Sequence, residues 1–408
     1  MGSLIEMEEI SQLRLNKEQR KALEKKYGVD RIWSFSRLQT FHNCIQEYVH
    51  LYLRHDVPRT DNVYTIFGSE VHDITEGLTK KEFDLTSAKS LWDNFVKRWE
   101  NDPDGLRFDT EKIKQGYIGN LGHYFTHTNI PEGSKFHTEL PVMTKVGGTK
   151  EKPHYVFVGY IDTEYIDKEG NVVLVDYKSS SKSSFSKSKL PEKSMQLMLY
   201  SIGIHQQENI PYEKIKARFD MMKYVTVHYK QENGKWNTSV QERSIWVLKM
   251  QKKLETKLKK LGIDKEEARK LIQIASLANN MDNLPKEVQD QFYVTNYYIE
   301  LDINEKDCNA LLGKIEKQCD EIIELEQLSP DAQDSFADVN HHYNPDDYYD
   351  KKLCAYHTSD KFLEQEKTLI GETQPKFNIE DKSNNILDLF KSDNKERSDE
   401  TLMKELFA

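Results

Sequence analysis

The chain has 408 residues, 37% of them hydrophobic and 11% aromatic, so it can bury a sizeable core and is not a charge-rich disordered polymer. No run of 18 apolar residues occurs and the first nine residues are short and acidic, which argues against a spanning helix or a cleavable leader. The expectation is a soluble, cytoplasmic protein with no membrane partner. The net charge of −10 weighs against a nucleic-acid partner only until its distribution is read: residues 320–408 carry 22 acidic and 10 basic side chains, whereas residues 1–319 carry 46 and 48. A near-neutral body leaves room for a basic groove. Four cysteines, at 44, 308, 319 and 354, are too few and too scattered for a disulfide framework.

Residues 16–27 read as a short amphipathic helix ended by Gly28. A second helix is expected over 37–53, capped by Ser34 or Ser36, with Leu38, Phe41, Ile45, Tyr48, Val49 and Tyr52 at helical spacing as core. A third, over 64–80, carries Gly68 and His72 on one face, with Glu76 a turn further on. Taken alone, a helical histidine of this kind is more often structural than a ligand. Helices over 86–101 and 110–128 contribute Leu91, Trp92, Phe95 and Trp99 as packing residues.

Strand character begins at 136–143, with Glu139 either an acid near a site or a surface strand residue. Residues 154–162 and 172–178 are rich in β-branched and aromatic side chains and flank a polar turn at 168–171, the pattern of an antiparallel hairpin. Asp162 ends the apolar run of one strand and Asp176 that of the other. The two-residue period puts Asp176 and Lys178 on one face and Tyr177 on the opposite one. A lone Asp-x-Lys at a strand end is usually a solvated pair. Two carboxylates on adjacent strands beside an ammonium are also able to hold a hard divalent cation and steer a water.

The hairpin leads into a lysine- and serine-rich stretch with Lys182, Lys187, Lys189 and Lys193, a solvated loop that is also suited to DNA phosphates. Pro191 suits the first turn of a helix that carries Gln196 and Tyr200 one turn apart. Strands at 217–229 and 293–303 complete the sheet, lysine-rich helices at 243–261 and 264–281 form an insertion, and a helix at 304–327 closes the globular part. The acidic, weakly periodic stretch 329–408 reads as a partly disordered tail. No Gly-x-x-x-x-Gly-Lys-Ser/Thr motif occurs, so any motor would be a separate subunit.

Gly68-x-x-x-His72, Gly159-Tyr160-Ile161-Asp162, Asp176-Tyr177-Lys178 and Gln196-x-x-x-Tyr200, in that order, resemble the PD-(D/E)xK nuclease superfamily in its RecB-like exonuclease branch. AddAB-type and CRISPR-associated RecB-like nucleases belong to the same branch. The resemblance covers about residues 33–205, with a fainter echo near Cys354. It implies an α/β (α+β) fold, a central mixed β-sheet flanked by helices, with a nuclease domain over 1–328 (core 33–228) and a tail over 329–408.

The resemblance also implies a metal-dependent deoxyribonuclease, an exonuclease of recombination, repair or phage DNA metabolism in a bacterial or phage-infected cell. His72, Asp162, Asp176 and the Tyr177 carbonyl would ligate Mg²⁺ or Mn²⁺, Lys178 would act on the attacking water, and Gln196 and Tyr200 would pack beside it. Lys178 would carry a depressed pKa beside the metal, and Glu76 would orient His72. The alternatives are an inactive nuclease-fold binding protein and an RNA-processing or defence nuclease. Some relatives use a cysteine near position 44 and a C-terminal cysteine triplet for an iron–sulfur cluster. Here His357 stands where a cysteine of that triplet would be, so no iron–sulfur cluster is expected. Zinc on Cys354, His357 and the His341–His342 pair is not expected either, because the spacing matches no standard site. In the tail, Asn385 to Phe390 is similar to a sliding-clamp-binding pentapeptide with Ile386 in place of glutamine. This island and the one at 402–407 either dock on the protein's own surface or form frayed helices, or they bind a replication or recombination partner, a sliding clamp or an annealing protein.

Overall fold

The computed structural model describes residues 15–365 apart from 60 and 130. The chain divides into a unit ending at Thr358 and a second from Ser359, of which residues 359–365 are described. The two hydrophobic islands of the tail lie outside the described residues. No helix among the described residues is long and apolar enough to cross a membrane.

Seven strands among the described residues form one mixed sheet: β1 (Ile32–Trp33), β2 (Ser134–Val146), β3 (Tyr155–Ile166), β4 (Val172–Lys178), β5 (Ile215–Lys230), β6 (Trp236–Glu242) and β7 (Phe292–Leu301). β3 runs antiparallel to β2 along one edge. Its other edge is shared between β1, parallel at Val156 and Phe157, and β4, antiparallel from Thr163 to Ile166. β4 pairs in parallel with β5, and β7 and β6 flank β5. The hairpin read from the sequence is therefore present, and two strands were not expected from the sequence, the two-residue β1 and the short β6. The inward-facing residues of β6 are mostly polar, so it carries no apolar alternation.

Helices cover both faces. Those introduced here are α1 (Lys17–Tyr27), α2 (Phe35–Asn43), α3 (Val63–Lys80), α4 (Leu85–Asn101), α5 (Glu111–His127), α6 (Met195–Glu208), α7 (Gln251–Lys260), α8 (Lys265–Ala278), α9 (Glu305–Gln327) and α10 (Pro330–Asn340). α2, α6 and α9 pack on one side, where Val172 and Leu174 of β4 point. α3, α4 and α5 pack on the other, with Val173, Val175 and Tyr177. α6 is the crossover that a parallel β4–β5 pair requires. It is buried on nearly all sides, which is why it is apolar all round.

The helix expected over 37–53 is interrupted. α2 ends at Asn43, Cys44 is extended, a turn covers Ile45–Tyr48, and a wider π-helical turn covers Val49–Arg54. The Cys44 sulfur accepts the Glu47 N–H at 3.3 Å and so starts the second segment. The break hides in the sequence because Phe41 and Ile45 keep the i, i+4 spacing across it. The boundary expected at 328 is also crossed. α10 and a short helix at Tyr348–Lys352 follow it within the first unit, and Cys354, Ala355 and Tyr356 are buried. Their apolar residues are sparse, so the acidic composition masks them.

Behind β4 lies a buried polar network. Asp220 of β5 accepts hydrogen bonds from Tyr124 OH at 3.0 Å and Asn296 Nδ2 at 3.1 Å. The fully buried Arg243 donates to Asn296 at 2.7 Å and stacks over the Tyr124 ring at 4.7 Å. Burial pushes the Asp220 carboxyl up to about 6, against the pull of Arg243. A carboxyl raised in the folded state adds stability below its unfolded value, and that stability is lost as pH rises through the folded value. Asp220→Asn cannot titrate, so between pH 5 and pH 8 its stability relative to wild type should improve by roughly 1–2 kcal/mol. Urea unfolding at the two pH values measures this, and a pH-independent difference would mean that Asp220 ionises normally.

Candidate functional site

Asp162 sits where β3 changes character. Tyr155, Phe157 and Ile161 pack on the α6 side, but Tyr165, at the same parity, packs on the α3 side. Thr163 already faces that second side, since it accepts the Tyr177 hydroxyl at 3.3 Å. The alternation therefore breaks between Ile161 and Thr163, at Asp162. Across the β2 ladder, Leu140 pairs with Ile161 and Thr138 with Thr163, so Glu139 stands opposite Asp162. Glu139 has φ +49°, a left-handed backbone that costs a non-glycine residue about 1–3 kcal/mol. A local irregularity of this kind re-aims side chains at the end of a ladder.

On the other edge the β3–β4 pairing stops at Thr163 and Val175, one step short of Asp162 and Asp176. The strands separate there, and Asp162 Oδ2 accepts the Tyr177 N–H at 3.0 Å in place of a ladder bond. Three carboxylates thus stand in one row across β2, β3 and β4. Glu139 and Asp162, opposite each other within the β2–β3 ladder, have the Cβ spacing of about 4.5–5.5 Å at which like charges destabilise each other.

Helices from both layers complete the row. α3 begins with a capping box: Asn62 Oδ1 accepts the Thr65 N–H, and Thr65 Oγ1 accepts the Asn62 N–H. Val63, Phe67, Val71, Ile74 and Leu78 form its buried stripe. That stripe fixes the rotation of the helix and brings His72 Nδ1 to 3.5 Å from Asp162 Oδ2. His72, Glu139 and Asp162 each offer a ligand atom within 4.8 Å of the other two. Glu76 does not serve His72 as expected: it pairs with Lys80 at 2.6 Å and accepts the Thr138 hydroxyl at 3.3 Å.

From β4, Lys178 Nζ lies 2.6 Å from Asp176 Oδ2. The side chains of Asp176 and Lys178 share a half-buried face while Tyr177 is buried behind them, as the two-residue period requires. From α6, Gln196 Nε2 donates to Tyr200 OH at 2.9 Å. The Tyr200 ring presses on β3 at Gly159, where a Cβ would come within 2.2–2.4 Å of two ring carbons and the phenolic oxygen. Gly159 was legible only as part of a motif. Its steric role depends on α6, which a single sequence does not place.

Burial and like charge set the protonation of the row. Burial, then the Asp176 charge, raise the Asp162 carboxyl well above the usual range. Burial lowers the His72 imidazole, which is therefore neutral and able to donate a lone pair at neutral pH. Burial also pulls the Lys178 ammonium down, but Asp176 and Asp162 outweigh it and the net shift is upward. The depressed lysine expected from the sequence is thus not what these residues produce by themselves. Asp176 Oδ2 is buried and, apart from the ion pair, accepts no directed hydrogen bond. Convergent carboxylates and a neutral imidazole fit a hard divalent cation.

The loop after β4 is more ordered than its composition suggests. Phe185 packs on Phe219 with ring centres 4.9 Å apart, and the Lys182 N–H donates to Tyr224 OH at 3.1 Å. Lys182, Lys187 and Lys189 are left exposed, while half-buried Lys193 pairs with Glu192 at 3.5 Å.

The family model of the PD-(D/E)XK nuclease superfamily matches residues 32–324, which span the sheet and the acidic row. The chain belongs to that superfamily, whose nucleases use divalent metal ions. No curated protein matches the chain.

The Gly159–Tyr200 contact is testable. Gly159→Ala should cost about 1–3 kcal/mol by overpacking, and less when Tyr200→Ala has already opened the space. A double-mutant cycle read by thermal or urea unfolding measures the coupling, and additivity of the two changes would show that the ring does not rest on Gly159.

Proposed function

We propose that this protein is a metal-dependent deoxyribonuclease that hydrolyses phosphodiester bonds, acting as an exonuclease of the RecB-like kind in recombination, repair or phage DNA metabolism. The observation that carries the reading is the convergence of His72, Glu139, Asp162 and Asp176 with Lys178 at one end of the sheet. Asp162, Asp176, His72 and the Tyr177 carbonyl would hold Mg²⁺ or Mn²⁺, with Glu139 as a further acid. A divalent ion bound there would polarise the scissile phosphate and lower the pKa of a bound water.

The protein's own groups supply the rest. Asp176 holds the Lys178 ammonium beside the row, so the lysine offsets negative charge that develops on the phosphate and orients the attacking water. The neutral His72 leaves one ring nitrogen facing the row. Gln196, bonded to Tyr200, braces the α6 side of the site, and Tyr200 is braced in turn against Gly159. Lys182, Lys187 and Lys189 leave the site outward along the loop and suit sequence-independent contact with a DNA backbone.

Asp162→Asn, Asp176→Asn and Lys178→Ala should each lower Mn²⁺-supported cleavage by roughly 10²–10³ or more, and His72→Ala should do the same or change the preferred metal. Because Asp162 resists ionisation in the metal-free fold, Asp162→Asn should melt no lower than wild type in metal-free buffer at neutral pH. Parallel degradation of duplex DNA, single-stranded DNA and RNA tests the substrate. Degradation of RNA alone would make it an RNA nuclease, and binding without cleavage an inactive relative. A wild-type rate for Lys178→Ala would sink the mechanism.

Replacing Lys182, Lys187 and Lys189 together with alanine should weaken DNA binding equally across sequences. The log–log salt slope should flatten by roughly 0.7–0.9 for each lost phosphate contact. Titration of a labelled duplex over a range of salt measures it, and an unchanged slope would return the loop to a solvated surface.

A further inference from the structure

A second cluster of ligand-type side chains shares no residue with the acidic row. Cys44 lies at the break after α2, and Cys354 lies beyond the short helix at Tyr348–Lys352; both are fully buried. The Cys44 thiol is hydrogen-bonded to Cys354. His357, buried with them, stacks against the His341 ring at 5.5 Å. Cys44, His341 and His357 offer donor atoms within 4.8 Å of one another, and so do Asp350, Cys354 and His357. The two groups meet at His357.

The surroundings hold these residues in position. Asp350 Oδ1 lies 3.1 Å from His341 Nε2 and 3.1 Å from His357 Nδ1, and Asp350 Oδ2 accepts the Asn344 N–H at 2.9 Å. His357 Nε2 is 2.8 Å from Gln46 Oε1. Glu47 accepts the Ala355 N–H at 2.7 Å and the Tyr349 hydroxyl, and His50 stacks on Tyr356 at 4.1 Å. A carboxylate that takes one ring nitrogen of a histidine turns the other toward a metal; Asp350 does this for His341, and at His357 the metal would displace Gln46 from Nε2.

We propose that Cys44, Cys354, His341 and His357 form a structural Zn²⁺ site, with Asp350 orienting both histidines. Two thiols and two imidazoles are the donor set that tetrahedral zinc prefers, and two thiolates leave the buried ion formally neutral. Donors about one zinc ion stand roughly 3.3–3.8 Å apart, so the present arrangement needs only a modest contraction. A two-iron cluster would need the donors to stand wider apart than one ion does, so the tight grouping favours a single metal. On binding, the Cys44 and Cys354 thiols give up their protons to solvent and bind as thiolates. The site fastens the break after α2 to a segment about 310 positions away in the chain. That separation is why spacing alone showed no standard motif: Cys44 completes a set of which only the Cys354-x-x-His357 part is adjacent in sequence.

Metal analysis of the full chain, purified under reducing conditions without added metal and dialysed against Mg²⁺, should find about one zinc per chain. Asp162→Asn and Asp176→Asn should retain it, whereas Cys354→Ser and His357→Ala should lose it and melt at lower temperature. If those variants fail to fold, replacement of zinc by Co²⁺ in the wild-type chain gives an independent reading. Tetrahedral cobalt with thiolate ligands shows intense visible bands and a near-ultraviolet charge-transfer band. Absence of both zinc and the cobalt spectrum would overturn the proposal. So would a Cys44–Cys354 disulfide in the freshly purified protein, or stoichiometric iron and sulfide. Zinc retained with no cleavage of any nucleic acid would leave this site standing while the nuclease reading failed.

Discussion

Like charges on adjacent strands repel, and the fold at Asp162 is arranged around that repulsion. The residue stands between Glu139 on one neighbour and Asp176 on the other, at the step where one ladder stops and the other carries a left-handed backbone. An undisturbed sheet would have paired these residues and set their three side chains side by side on one face. Here the Asp162 carboxylate replaces a ladder acceptor for Tyr177, and the strand changes sides immediately after it. A carboxylate pushed well above its usual range and a backbone outlier are both costs, and neither helps to form the core. Their joint effect is a group of carboxyl oxygens that burial and like charge keep from ionising together, a strain that a bound divalent ion would relieve.

The two helical layers serve the row in different ways. α3 is fixed by its cap and its five-residue apolar stripe, so His72 arrives by the rotation of the whole helix rather than by a local contact. α6 is fixed by burial on all sides, and its approach to the sheet is as close as a glycine permits. The buried set of Asp220, Tyr124, Asn296 and Arg243 locks β5 and β7 behind β4. Rigid elements, not loops, therefore hold the acids and the lysine.

Much of this was legible in the chain. The hairpin, the helices over 63–80, 85–101 and 111–127, and the facing of Asp176 and Lys178 follow from period, turn chemistry and caps, all local properties. Glu139 stayed open between site acid and surface residue because its choice depends on the register of β2 against β3. Glu76 was misassigned because helical spacing puts it near His72 while Lys80, on the same helix, offers a charge at closer range. The helix break at Cys44 and the packing of 330–358 escaped for opposite reasons. The first keeps an apolar spacing across an interruption, and the second forms folded structure from residues whose composition reads as tail.

The order of the strands bears on how the protein is made. Every acid of the row precedes Tyr177, yet β5, which backs β4, begins at Ile215, and α9, which closes the core over α6, ends at Gln327. A chain still emerging from the ribosome holds all the acidic residues long before it holds the layers that fix them. Non-local pairings of this kind form late and slowly. A prematurely terminated product would thus carry the side chains of the row without the frame that aligns them.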